Sequence, residues 1–281
     1  MSAIIMAPLD GSPAAEAALP WAVHLAKRVN GSVRLVGVHA PPAVLLDGET
    51  LVGSVVPDES VRQQESDYFA NVQALLKPTG VPVAADLLDG GVVSSLADYA
   101  KTLKPTWIVM MSHARGPLAR FFLGETASEF VRRSTCPVLL VHPTGSPVNP
   151  NDSPDVRHVL VPLDGSTLAE RILAPAGDFA KALGADVTLL MVPDTTSSKA
   201  EQYLAQHANG LSAKSIKAAC KIVPGHAAEV IVAEADALPG TVVALATHAR
   251  GGLAKLVWGN VAEDVVRRTK APVLVFKPSN D

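Results

Sequence analysis

The most constraining feature of the 281-residue sequence is an internal repeat. Residues 5–12, IMAPLDGS, match residues 159–166, VLVPLDGS, at an offset of 154 positions. Residues 112–116, SHARG, match residues 247–251, THARG, at an offset of 135. Such self-similarity predicts two copies of one structural unit. The change of offset from 154 to 135 corresponds to 19 extra residues in the first copy, around residues 41–65.

The length of the chain also favours two domains, because a single hydrophobic core rarely keeps growing beyond about 250 to 300 residues. The segment HPTGSPVNPNDSPD between the copies has four prolines and few apolar residues, which is typical of a linker. We therefore expect a first domain over residues 1–143, a linker over 144–155 and a second domain over 156–281.

Short apolar runs alternate with longer helical patterns in each copy, which predicts βαβ units and a parallel sheet flanked by helices. In the first copy, a strand ending before Asp10 is followed by a helix over residues 14–29. Hydrophobic residues make up 48% of the chain but aromatic residues only 4%, so Ala, Val and Leu must form the core. Further strands are expected at the four segments 33–38, 83–88, 107–111 and 138–141.

Charge and cysteine content exclude several classes of function. A formal net charge of −3 gives no electrostatic basis for binding nucleic acid or an anionic membrane. No apolar run approaches the roughly 20 residues of a membrane span, and the first ten residues do not resemble a signal peptide. Cys136 and Cys220 lack metal-ligand spacing and lie in apolar segments, so we expect two buried free thiols in a cytoplasmic protein.

Polar motifs follow the predicted strands at the edge where ligands bind in open parallel sheets. The Asp-Gly-Ser motif follows the first strand of each copy, and a Ser/Thr-His pair follows the fourth. Glycine lets backbone approach a phosphate, and free amides at a helix start attract anions. The segments 112–124 and 247–259 therefore indicate phosphate-binding loops. They are not Walker P-loops, because no Gly-Lys-Ser/Thr follows the first strand.

These motifs together resemble the universal stress protein family. The resemblance rests on Pro-Leu-Asp-Gly-Ser, on Ser/Thr-His-Ala-Arg-Gly with a glycine ten residues after its Ala, and on the closing CPVLLV and APVLVF strands. It implies two tandem Rossmann-like domains of the adenine nucleotide alpha hydrolase-like type, each with a five-stranded parallel sheet in order 3-2-1-4-5. It further implies that the fifth strands of the two domains pair within the chain, and we expect the chain to form homo-oligomers.

In the ATP-binding branch of that family the loop reads Gly, two residues, Gly, nine residues, Gly, then Ser or Thr. The matching positions here are Met111, Ala114, Gly124 and Glu125 in the first copy, and Ala246, Ala249, Gly259 and Asn260 in the second. Only the last glycine is present in each copy. A carboxylate at Glu125 would repel phosphate, whereas the neutral Asn260 side chain can donate a hydrogen bond. The resemblance thus favours a nucleotide site in the second copy and a degenerate first site.

The expected ligand is ATP or a related adenine nucleotide, with Mg²⁺ only as its companion. The resemblance and the strand-end placement give these candidates in the second copy: Pro162, Asp164, Gly165, Ser166, Val192, Gly225, Ala246, Thr247, His248, Ala249, Gly259, Asn260 and Val261. The corresponding set in the first copy is Pro8, Asp10, Val38, Ser112, His113, Gly124 and Thr126.

Other interpretations stay open from the sequence. Asp10 and Asp164 are also typical helix caps, and Glu125 at a helix start suits the helix dipole without any ligand. The Gly-x-Ser-x-Gly elbow of a hydrolase is absent at Ser12 and Ser166, so the sequence does not favour catalysis. A nucleotide-free dimerising scaffold and a weak ATPase are the alternatives to a nucleotide-binding stress-response module.

Overall fold

The computed structural model describes residues 2–40, 58–112, 124–142, 148–193, 198–247 and 259–278. The strands of the first half are β1 (Ile4–Pro8), β2 (Ser32–His39), β3 (Val83–Asp89), β4 (Trp107–Met111) and β5 (Val138–Val141). Those of the second half are β6 (His158–Pro162), β7 (Asp186–Met191), β8 (Ala218–Ile222), β9 (Thr241–Ala246) and β10 (Val273–Phe276).

Helices connect these strands in both halves. The first half has α1 (Ala18–Arg28), α2 (Asp58–Leu76), α3 (Val92–Leu103) and α4 (Glu125–Arg133). The second has α5 (Thr167–Glu170), α6 (Leu173–Leu183), α7 (Ser198–Ser212), α8 (Ala227–Ala237) and α9 (Asn260–Arg268). A 3₁₀ turn over Ala15–Ala17 precedes α1, so the predicted first helix has a different geometry in its opening turn. The prediction of an α/β fold with flanking helices is confirmed.

The strands form one sheet in the order β3-β2-β1-β4-β5-β10-β9-β6-β7-β8. Every neighbouring pair runs parallel except β5 and β10, which are antiparallel. At their junction Leu274 pairs with Leu139, and both side chains are fully buried. The fifth strands of the two halves therefore join the two sheets within one chain.

Side chains of both halves also share the hydrophobic core on each face of this sheet. The rings of Trp107 and Phe179, from different halves, meet edge to face with centroids 5.7 Å apart. Arg28 of the first half donates a hydrogen bond of 2.9 Å from Nε to the carbonyl of Ala182 in the second half. The junction is thus a packed interior and not a flexible tether.

The helix α1 shows how local sequence fixes this packing. Its buried face repeats at helical spacing and presents small or aliphatic side chains to the sheet. Lys27 and Arg28 lie in its last turn, where basic side chains complement the helix dipole. The residues of the buried face are Ala18, Leu19, Ala22, Val23, Leu25 and Ala26.

The two cysteines differ from the expectation of buried thiols. Cys220 is exposed, so that prediction is wrong for this residue; Cys136 is partly buried. Cys220 lies in β8, the outermost strand of the sheet, whose outer edge pairs with no further strand among the described residues. The sequence around Cys220 is apolar and predicted burial. The side chain is exposed because its strand lies at the edge of the sheet. None of the helices in the described ranges is long and apolar enough to cross a membrane.

Candidate functional site

The Asp-Gly-Ser turns lie where the strand order reverses in each half. Strand β1 pairs with β2 on one side and with β4 on the other, which leaves a crevice beyond their carboxyl ends. Gly11 and Gly165 adopt φ angles of +78° and +83°, a left-handed conformation that favours glycine. Each turn therefore directs its aspartate into the crevice while the chain reverses toward the next helix.

The serine of each turn connects the aspartate to the helical segment that follows. In the second half, Oδ1 of Asp164 accepts hydrogen bonds from the backbone amide and the hydroxyl of Ser166, at 2.9 and 2.6 Å. The Ser166 hydroxyl oxygen in turn accepts from the amide of Ala169 at 3.1 Å and caps α5. In the first half, Ser12 makes the corresponding contact with Ala15 at 3.2 Å. The side chain that caps α5 is therefore Ser166, and the interpretation of Asp164 as the cap is wrong. Asp164 instead positions that serine, which is compatible with a binding role for its second carboxylate oxygen.

The second half contains a cavity of about 400 Å³ beyond the ends of β6 and β9. Asp164 lies on one side and the start of α9, at Gly259 and Asn260, on the other. Aliphatic side chains, including Leu190 and Leu245, form its floor. The cavity thus combines an apolar surface with polar groups at two separate points, as small-molecule sites commonly do.

The candidates from the sequence divide into three groups in this half. The residues that line the cavity are Pro162, Asp164, Ser166, Val192, Ala246, Gly259, Asn260 and Val261. Gly165, Gly225 and Thr247 do not line it; Thr247 is buried, and its amide donates to the carbonyl of Phe276 at 3.0 Å. His248 and Ala249 lie outside the described residues. Sequence reasoning missed Ala227 and Ile231, which α8 contributes to the wall.

The first half contains a larger cavity, of about 590 Å³. Of the candidates in this half, Pro8, Asp10, Val38, Gly124 and Thr126 line it. Ser112 does not, and His113 lies outside the described residues. Helix α2 contributes Val61, Gln64, Glu65, Tyr68 and Phe69 to the wall, none of which the sequence predicted. The extra residues of this half precede and enter that helix, which is the signal that could have indicated a different wall.

Comparison with known proteins identifies the family. The family model described as the universal stress protein family matches residues 1–142 and 155–277. The chain belongs to the universal stress protein family. Both halves match that model, so this universal stress protein is a tandem member, as the sequence motifs indicated.

Relatives of this universal stress protein include a universal stress protein of Mycobacterium tuberculosis, 30% identical over 189 residues. That match covers 61% of this chain and 62% of the relative. A universal stress protein of Mycolicibacterium smegmatis is 25% identical over 292 residues, covering 98% of this chain and 97% of the relative. A solved universal stress protein from Archaeoglobus fulgidus shares the fold over 98% of both chains, with a TM-score of 0.76 at 20% identity.

In this universal stress protein, Ser112 has a structural role at the junction of the two halves. The Ser112 hydroxyl lies 3.0 Å from Nδ1 of His142, and Nε2 of His142 lies 3.2 Å from the carbonyl of Ala271 in the other half. Because a carbonyl only accepts, Nε2 carries the proton and Nδ1 accepts from Ser112. At the corresponding place in the second half, Lys277 donates to the carbonyl of Arg132 at 2.8 Å. Both contacts tie the halves together beside the cavities.

A tyrosine and a glutamate recur beside both Asp-Gly-Ser turns of this universal stress protein. The hydroxyl oxygens of Tyr68 and Tyr203 are buried and form no hydrogen bond of regular geometry with described residues. Burial, together with the nearby carboxylates of Glu16 and Asp10, raises the pKa of Tyr68. Burial also raises the pKa of Tyr203, and the nearby carboxylates of Glu170 and Asp164 raise it further. The repeat offsets pair these residues in the sequence, although no motif marked them.

Within the described residues, no group of three His, Cys, Asp or Glu side chains forms a metal site. Each Asp-Gly-Ser turn contains one carboxylate, that of its aspartate. This carboxylate accepts a hydrogen bond from the serine of the same turn. The arrangement around them suits recognition of hydroxyl groups, because a carboxylate accepts hydrogen bonds from two neighbouring donors.

Proposed function

We propose that the second half of this universal stress protein binds ATP or a related adenine nucleotide, as part of a stress-response module. The observation that carries the proposal is the cavity beyond β6 and β9, with Asp164 at one side and the start of α9 at the other. Each of these two points matches the chemistry of one part of a nucleotide.

Asp164 is assigned to the ribose. Both hydrogen bonds from Ser166 go to Oδ1, and Oδ2 accepts none from the described residues. That oxygen is therefore available to the ribose hydroxyls, which are donors. Ser166 holds the carboxylate in place because it is itself fixed by the amide of Ala169. A preoriented acceptor loses little side-chain freedom when it binds.

The start of α9 is assigned to the phosphates. Gly259 precedes the helix, and no side chain caps its first amides. Unpaired amides at a helix start carry partial positive charge and favour anions. Asn260 adds a neutral amide side chain that donates hydrogen bonds and brings no charge repulsion. Mg²⁺ would enter only with the nucleotide, bound to its phosphates.

The apolar floor is assigned to the adenine ring. Leu190, Ile231 and Leu245 line it, and Val192 follows β7 at its edge. The volume of about 400 Å³ lies within the usual range of small-ligand cavities. The remaining candidates, Gly165, Gly225, Thr247, His248 and Ala249, stay predictions from the resemblance.

We further propose two units over residues 1–143 and 156–281, joined by residues 144–155, and assembly of whole chains into homo-oligomers. The cores that the two halves share support one compact chain. The proposed activity is binding, not catalysis.

The test is to denature freshly purified protein and to identify any released nucleotide by chromatography and mass spectrometry. We expect an adenine nucleotide at near one per chain, or uptake of added ATP at that ratio by calorimetry. Repeated absence of nucleotide with no uptake of ATP would overturn the proposal in favour of a nucleotide-free scaffold. Phosphate release above that of a Ser166→Ala control would instead indicate a weak ATPase.

A further inference from the structure

The two cavities share their framework but differ at three positions that line the first cavity. The Asp-Gly-Ser turn and the tyrosine beside it occur in both halves. Glu65 and Glu125 of the first cavity correspond to Ala200 and Asn260 in the second, and Met111 corresponds to Ala246. The first cavity has thus gained two carboxylates relative to the second.

The described lining of the first cavity is acidic. Among the described residues, three carboxylates line it, those of Asp10, Glu65 and Glu125, and no Lys, Arg or His does. The second cavity has one carboxylate, Asp164, among its described lining residues. Carboxylates separated by a few ångström repel an anion and attract a cation.

The carboxylate of Glu65 is held in position by the fold. Its Oε2 lies 2.7 Å from Nδ1 of His39, whose side chain is only 3% exposed. The corresponding residues in the second half are Pro193 and Ala200, which cannot form this pair. The first cavity therefore has a carboxylate that the second does not have at the corresponding position. Glu65 extends from α2, and His39 at the end of β2 holds it in place.

Helix α2 also gives the first cavity a wall that the described part of the second cavity does not have. Tyr68 and Phe69 line its wall, whereas no residue of α7 is among the described residues that line the second cavity. Phe69 reaches this place because Gly37 beneath it has no side chain. The result is an aromatic and aliphatic interior with carboxylates around it, in a volume of about 590 Å³.

We propose that the first cavity binds a neutral or cationic, non-phosphorylated ligand with a flat apolar body, such as a nucleoside that carries an amine in place of its phosphates. The apolar interior accepts the ring system, Asp10 accepts from hydroxyl groups, and Glu125 pairs with the ammonium group. The choice of a nucleoside rests on the proposed function of the second half. Both cavities would then bind a ligand, and the two ligands would differ in charge.

The experiment uses the full chain and two probes that share adenosine and differ only in the substituent at the 5′ position. The probes are 5′-amino-5′-deoxyadenosine, an ammonium ion at neutral pH, and adenosine 5′-monophosphate (AMP). Binding is followed by NMR of ¹³C-methyl-labelled methionine, with signals assigned through single Met→Leu variants. The chain has five methionines. Met110 and Met111 line the first cavity, and the Met191 methyl lies against Gly165 in the second half.

We expect the amine to shift the Met110 and Met111 signals with a Kd at least roughly tenfold lower than that of AMP. Glu125→Asn should bring the ratio of the two Kd values toward one. Glu65→Ala should further weaken binding of the amine. The reciprocal change Asn260→Glu should give the Met191 signal the same preference for the amine. Because residues 125 and 260 are both exposed, these variants should fold, which circular dichroism would verify.

Two results would overturn the inference. One is AMP binding at Met110 and Met111 as tightly as the amine or more tightly, as expected if the two arginines within residues 113–123 recognise phosphate. The other is no shift of these signals by either probe up to about 5 mM, the weak limit of specific affinity. Failure of the proposed function is distinguishable, because it appears as an unchanged Met191 signal with AMP and ATP.

Discussion

The ring of Phe69 lies directly over the α-carbon of Gly37, so closely that a Cβ added at residue 37 would come within 2.4 Å of the ring. The corresponding residues in the second half are Leu204 and Met191, a smaller side chain above and a larger one below. The two halves thus have different side chains at both positions of this contact. In the first half this exchange lets α2 approach β2 and form a wall of the cavity.

We therefore predict that Gly37→Ala destabilises the protein by about 1–3 kcal/mol through overpacking. Combining it with Phe69→Leu should cost less than the sum of the two single changes, because the smaller side chain makes room for the new methyl group. Urea unfolding of the four proteins in this cycle measures the coupling. Additive costs would contradict a direct contact between these residues.

Asp164→Asn is expected to weaken ATP binding by roughly ten- to a hundredfold, the usual cost of losing a charged hydrogen-bond partner. Asparagine keeps an oxygen at the position that accepts from Ser166, so the helix cap is retained. The matched control is Asp10→Asn, which should change ATP affinity little. Calorimetric titration of both variants measures the difference, and equal losses would argue against a site mainly in the second half.

Asn260→Glu is expected to reduce ATP affinity by roughly tenfold or more, since a carboxylate at the start of α9 would face the phosphates across a solvent-exposed gap. The variant should not lose stability, because an acidic residue suits a helix start. Asn260→Gln serves as the neutral control. Unchanged affinity in the glutamate variant would show that phosphate lies elsewhere.

His24 should make stability depend on pH. Burial lowers the pKa of His24, and Arg28 and Lys27 lower it further. The folded state therefore binds fewer protons than the unfolded state between the lowered pKa and about 6.5, so stability rises with pH through that window and is lost as pH falls. Urea unfolding at pH 5 and pH 7.5 measures the difference, which should be smaller in His24→Gln. The same difference in both proteins would contradict this origin.

Phe179→Ala should cost about 3–5 kcal/mol, because it leaves a cavity in the core that both halves share. The loss should affect both halves, since Phe179 of the second half contacts Trp107 of the first. Tryptophan fluorescence and far-UV circular dichroism should still give one coincident unfolding transition at lower urea. Two separate transitions would indicate that the halves unfold independently.

The framework of the fold was predictable from the sequence because its signals are local or repeated. Strands β4 and β5 have the predicted bounds, and α1 lies within the helix predicted over residues 14–29. Most candidate residues around Asp164 line one cavity, since parallel strands bring their carboxyl ends to one edge. The domain boundaries at residues 143 and 156 stay a prediction, as does the identity of the ligand.

The sequence by itself determined a duplicated α/β unit, its Asp-Gly-Ser turns and its family, because periodicity and repeated motifs need no knowledge of distant contacts. Only the tertiary structure decided that α2 walls the first cavity, that Glu65 meets His39 there, and that Cys220 is exposed at a sheet edge. Those features depend on which side chains meet across elements far apart in the chain. Packing in three dimensions, and not local pattern, selects such pairs.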